Sequence, residues 1–142
     1  KTGDTTKTNA TLAADPDMTI SLEANAVYEI EMYLQYAAIS AAGFTTDWTV
    51  PSGATGLRWC LGSGSTENVG DMGLMRFSMH NFTTTIDYGD RASASNQLGA
   101  LERCLLTTTN AGTLALRWAQ TTTNATATKL AAGTSMRVTR IA

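Results

Sequence analysis

Charge is scarce in this sequence of 142 residues: Lys, Arg, Asp and Glu together make up 15%, against about 25% in an average soluble domain. Lys and Arg total 10, are scattered, and leave a formal net charge of -2. No basic field exists to hold a phosphate backbone, so nucleic acid is not an expected partner. Histidine occurs once, as His80, and cysteine twice, as Cys60 and Cys104. That inventory excludes a four-cysteine zinc site and makes any Ser-His or Cys-His nucleophile depend on His80 alone. No Gly-x-Ser-x-Gly turn accompanies it, so His80 reads as a structural histidine. No apolar run approaches the ~20 residues a spanning helix needs, and no membrane partner is expected. There is no initiator methionine and no basic leader followed by an apolar stretch, so Lys1 reads as a processed or trimmed start.

What the sequence has instead is threonine, about one residue in six, with 12 Gly and many Ala. Threonine is β-branched and suits a half-buried sheet face. A chain that covers itself with hydroxyls and short side chains rather than charges has the composition of an extracellular or particle-borne protein. Its length allows one domain with one core. Residues 1–15 carry a single bulky apolar side chain, Leu12, and form an N-terminal arm or an edge strand that orders on a partner; residues 16–142 form a single β-sandwich domain.

From Met18 the apolar residues recur at every second position, which is the period of a half-buried strand. Tyr28, Ile30, Met32, Leu34 and Tyr36 share one face, opposite Val27, Glu29, Glu31, Tyr33 and Gln35. Further strands are expected at 44–50, 57–61, 72–81, 98–107, 113–121 and 135–141. The segment 82–88 extends one strand or begins another, and 62–71 is a loop. Residues 107–113 enclose Thr-Asn-Ala-Gly, which signals a hairpin. Leu98, Leu101 and Leu105 also fit helical spacing, which leaves a short helix within 90–105 as an alternative. The expected fold is an all-β, antiparallel β-sandwich, jelly-roll-like, with about eight strands. Its core should include Tyr28, Ile30, Met32, Leu34, Phe77, Leu114, Leu116 and Trp118.

The face of Val27, Tyr33, Gln35 and Ala37 mixes aromatic and aliphatic side chains with Glu29 and Glu31, a composition suited to an oligomer interface. The two glutamates lie side by side, whereas glycosidase chemistry needs two carboxyls across a cleft. Trp48, Asp87 and Asp90 are the candidates for contact with a glycan. Asp87 and Asp90 lack the dense oxygen ligands of a dedicated calcium loop. Cys60 and Cys104 read as two separate buried thiols, or as a disulfide if their strands are neighbours. Three Asn-x-Thr matches, at Asn9, Asn81 and Asn124, carry little weight in so threonine-rich a chain. Neither a catalytic set nor a cofactor or metal site is expected.

The segments Leu12 to Met18, Leu22 to Ile30, Trp48 to Ala54, Gly112 to Gln120 and Leu130 to Met136 together resemble the jelly-roll modules of tailed-bacteriophage virions, used as capsid decorations, head fibres and tail-fibre tips. The ending from Leu130 to Val138 is also similar to the last hairpin of trimeric knob domains of the tumour-necrosis-factor type. The resemblance implies a non-enzymatic virion surface protein, located in the virion and assembled in the host cytoplasm. It also implies capsid or tail-fibre proteins as partners, and a homotrimer. A receptor- or glycan-binding knob of a tail fibre is the alternative.

Overall fold

A computed structural model describes residues 1–65 and 74–142 of the chain. Eleven strands occur among the described residues: β1 (Thr5–Lys7), β2 (Ala13–Leu22), β3 (Ala26–Ala38), β4 (Phe44–Thr49), β5 (Arg58–Ser63), β6 (Met75–His80), β7 (Ile86–Tyr88), β8 (Ser93–Thr108), β9 (Gly112–Ala119), β10 (Thr128–Leu130) and β11 (Ser135–Arg140). They form two antiparallel sheets packed as a sandwich. One sheet runs β1-β10-β3-β8-β5-β6, with β11 continuing the edge of β3 beyond β10; the other runs β2-β9-β4-β7.

The pairing has a simple logic. β1 pairs with β10, β2 with β9, β3 with β8, β4 with β7, and β5 with β6. Each strand is bonded to the strand equally far from the β5–β6 tip, so the chain is one antiparallel ribbon rolled up on itself, the path of a jelly roll. Apart from the β5–β6 hairpin, successive strands up to β10 alternate between the two sheets.

Period-two patterning explains the core. The even residues of β3 from Tyr28 to Tyr36 face inward with Cys60, Cys104 and Leu106, and meet Met18, Phe44, Trp48, Ile86, Leu114, Leu116 and Trp118 of the other sheet. Each such side chain contributes on the order of 1.5–3 kcal/mol by leaving water. Phe44 stacks on Tyr36, with ring centroids 4.2 Å apart. Gly62 makes room for the ring of Tyr88: a Cβ there would lie 2.8 Å from that ring.

Several expectations need correction. The helical option for 90–105 fails because β8 is a single 16-residue strand whose Glu102, Cys104 and Leu106 turn inward. The hairpin expected at 107–113 is a crossover: β8 is bonded to β3 and β5, β9 to β2 and β4, in different sheets. Asn and Gly permit a tight reversal but do not say which partner the strands find. Residues 1–15 are ordered on their own domain, with β1 forming the edge strand against β10 and the Lys1 carbonyl accepting from the Gly133 amide at 3.0 Å. Backbone pairing supplies what that segment's side chains lack. Phe77, expected in the core, is 69% exposed. The strand expected from residue 72 begins at Met75, and its first residues, with most of the loop expected at 62–71, lie outside the described residues.

Most polar side chains inside the sandwich are paired, Arg58 Nε being a buried donor without a partner. The Glu102 carboxylate of β8 accepts from Thr46 Oγ1 at 2.6 Å, Trp48 Nε1 at 2.5 Å, Tyr88 OH at 2.9 Å and Arg58 Nη1 at 3.1 Å. Burial, reinforced by the Glu102 charge, pushes the Tyr88 phenol well above its ordinary range, so it remains a donor. Glu102→Ala should destabilise the fold by roughly 3–5 kcal/mol, because Arg58 is left as an uncompensated buried charge; denaturant unfolding measures this directly.

At the other end, buried Asp15 accepts from Thr5 Oγ1 at 2.8 Å, Lys1 Nζ at 3.1 Å and Trp118 Nε1 at 3.2 Å. Burial is the largest single influence and pushes the Asp15 pKa up, but these hydrogen bonds together with the Lys1 charge outweigh it and hold the group below its ordinary value. A carboxyl depressed by folding contributes stability that is complete above its unfolded pKa of about 3.9 and is lost as pH falls through the folded value. The strand Thr5–Lys7 should therefore loosen on acidification below about pH 4, seen as loss of its amide NMR dispersion, and Asp15→Asn should weaken that pH dependence.

Candidate functional site: the outer face of the larger sheet

The odd residues of β3, β5, β6 and β8 point away from the core, and much of what they present is apolar. Register aligns Tyr33, Leu101, Leu61 and Phe77 in one row across four strands, spanning about 14 Å at the usual ~4.8 Å strand spacing. The next row is Arg137, Glu31, Arg103, Trp59 and Met79. Leu105 lies beyond it on β8, opposite Glu29. Among these, Met75 and Phe77 are each 69% exposed, Leu105 59%, Tyr33 49% and Trp59 48%. Trp59 and Phe77 form an edge-to-face pair, with centroids 6.3 Å apart and planes at 88°. A shallow groove lined by Trp59, Leu61, Phe77, Leu101 and Arg103 runs between the rows.

Among the described residues β6 is the last strand at its end of the larger sheet. Its outer side chains are exposed, and Arg76, Ser78 and His80 on its other side are only half-buried.

Charge on this face is neutralised locally. Arg103 Nη2 lies 3.0 Å from a Glu29 oxygen and 2.8 Å from Glu31 Oε1, and Arg137 approaches Glu31 Oε2 at 3.5 Å. Exposed pairs of this kind contribute about 0–1 kcal/mol each. Their effect here is to leave two acids and two bases with no net charge.

Of the four residues expected at an oligomer interface, Tyr33 and Gln35 lie exposed on this face, Val27 is half-buried, and Ala37 is only 1% exposed, beside the register shift at the end of β3. The glycan candidates fare differently. Trp48 has no exposed surface and gives its indole N–H to Glu102, so it cannot stack on a sugar. Asp90 is buried, with Oδ1 accepting from Ser40 Oγ at 2.9 Å and the Ala92 amide at 2.6 Å. Asp87, half-buried, pairs across to Thr45. The three do not make one accessible surface.

The remaining chemistry-bearing residues are quiet. Cys60 and Cys104 are free buried thiols on neighbouring strands; burial, the largest influence on each, pushes Cys60 to about 11 and Cys104 to about 12, so neither is a ready thiolate. His80 Nε2 lies 2.8 Å from Ser78 Oγ; desolvation first, then the charges of Arg58 and Arg76, lower its pKa, so the ring is neutral at pH 7. Among the described residues no group of three His, Cys, Asp or Glu is gathered to hold a metal ion.

Sequence reasoning therefore found Tyr33 but not Trp59, Leu61, Met75, Phe77, Met79, Leu101 and Leu105. The signal was present in the alternation of 75, 77 and 79. What was missing was the side of the sheet that alternation faced. No family model, no curated protein and no solved structure matches the chain.

If Met75 and Phe77 are surface residues, polar replacement should leave the fold intact. Phe77→Ser is expected to change unfolding free energy by no more than about 0.5 kcal/mol, whereas Phe44→Ala should cost about 3–5 kcal/mol, both measured by chemical denaturation.

Proposed function

We propose that this chain is a non-enzymatic structural protein of a bacteriophage virion surface, a capsid decoration or fibre module that works by assembling with other chains. The observation that carries the reading is the contiguous apolar outer face of the larger sheet. The largest apolar patch on an ordinary monomer is about 300–600 Å². At roughly 150–250 Å² for a whole aromatic side chain, the exposed fractions of Tyr33, Trp59, Leu61, Met75, Phe77, Met79 and Leu105 leave on the order of 700 Å². A soluble protein with that much unpaired apolar surface is suited to contact with protein rather than with water. Threonine-rich, charge-poor composition and the resemblance to phage jelly-roll modules support the same conclusion, and the resemblance adds a homotrimer with capsid or tail-fibre partners. A glycan-binding knob is less well supported, because Trp48 and Asp90 are enclosed.

The test is made on phage particles from the genome that encodes the chain. Antibody against it, viewed by electron microscopy on gradient-purified particles, should label heads or fibres at regular positions, and the chain should appear among the particle proteins in many copies. Its absence from purified particles would overturn the proposal.

A further inference from the structure

We infer that the occupant of the outer sheet face is a second copy of this same chain, with the row Tyr33, Leu101, Leu61 and Phe77 at the centre of the contact. The inference deepens the reading of this face as an assembly surface and rests on it.

Three observations select the occupant. The first is charge. Among the described residues, the ionised groups set on the face are Glu29, Glu31, Arg103 and Arg137, and they are paired with one another. A nucleic acid, an anionic lipid surface or an acidic peptide would gain no attraction from a patch without net charge. A second copy presents the same mixture of both signs around the same apolar centre, so neither partner is left with uncompensated charge. The second is extent. The apolar area, on the order of 700 Å² at ~150–250 Å² per whole aromatic side chain, approaches the ~800 Å² per partner of a standard stable interface. It includes a Trp and a Tyr, residue types that anchor such contacts.

The third is the sheet edge. Among the described residues β6 is the last strand of its sheet, six residues long, with Met75, Phe77 and Met79 outward. A long apolar edge strand is an aggregation hazard unless it is covered. The opposite side of the sheet is edged by the three-residue β1, which ends in Lys7 and follows Asp4, and by β11, which carries Arg137 and Arg140, so charge marks both as solvent edges. Contact between copies in a closed symmetric group covers the exposed face and the β6 side together and stops growth at a defined number.

The purified chain is examined by sedimentation across the micromolar range, together with acrylamide quenching of tryptophan fluorescence. Trp48 and Trp118 have no exposed surface, so quenching reports Trp59. The expected result is a closed oligomer whose Trp59 becomes protected as concentration rises. Phe77→Asp and, separately, Met75→Asp should raise the midpoint of assembly at least ~30-fold with the near-ultraviolet circular dichroism of the core unchanged, while Ile20→Asp on β2 leaves assembly as it was. A wild-type chain that stays monomeric throughout, or variants that retain the native core spectrum and assemble as the wild type does, overturns the inference. A monomer that is nevertheless a component of purified particles defeats the self-contact and leaves the virion reading in place; an oligomer absent from particles upholds the contact and defeats that reading.

Discussion

Glu102 sits between the two sheets with no exposed surface and takes donors from both. Arg58 comes from its own sheet, and Thr46, Trp48 and Tyr88 from the opposite one. A buried ion pair is not in itself a large source of stability, since its desolvation offsets most of the attraction. Its consequence is geometric. A slip of β8 by one residue would turn the carboxylate to the outer face and bring Leu101 or Arg103 inside, leaving Arg58 buried without its counter-charge. Arg58 Nη2 also donates to the Thr84 carbonyl at 2.7 Å, so the segment returning from β6 to β7 is tied to the same point. The register of β5 on β8, and the alignment of the outer rows, depend on that one constraint.

The rolled ribbon has a second consequence. The tip hairpin β5–β6 lies at one edge of the larger sheet. The Trp48 side of the sandwich is closed by Phe82, whose ring lies 6.2 Å from that of Trp48. β6, the last strand of the larger sheet among the described residues, leaves even Arg76, Ser78 and His80 only half-buried. The outward side chains of β6 therefore join those of β5 and β8 in a surface that folding itself does not bury. The aromatic pair Trp59 and Phe77 gives that surface a defined shape.

Much of the architecture was legible from alternation alone. The runs at Tyr28 to Tyr36 and Leu114 to Trp118 identified strands and their buried sides correctly, because the opposite positions held Glu29, Glu31 and Arg117, whose charge marks water. The same reasoning failed on β6. Met75, Phe77 and Met79 alternate with Arg76, Ser78 and His80, and a rule that sends the apolar side inward places Phe77 in the core. The rule assumes that one side of every strand is covered. At β6 neither side is fully covered: Met75, Phe77 and Met79 are exposed and Arg76, Ser78 and His80 half-buried. The tryptophans divide in the same way: Trp48 and Trp118 face inward, while Trp59, next to the inward Arg58, is turned out by the pleat.

By itself, the sequence determined what is local: β-branched and alternating residues make extended strands, and short polar turns redirect the chain. It also marked Tyr33 as an apolar residue on a mixed face. Tertiary structure decided which strands meet. Only the roll of the ribbon sent β8 and β9 into different sheets across a three-residue connection, closed Asp15 and Glu102 into the interior with their donors, and brought Tyr33, Leu101, Leu61 and Phe77 into one row. Strand formation depends on neighbours along the chain, whereas burial depends on residues tens of positions away. The same apolar side chain is therefore core where other side chains cover it and exposed surface where they do not.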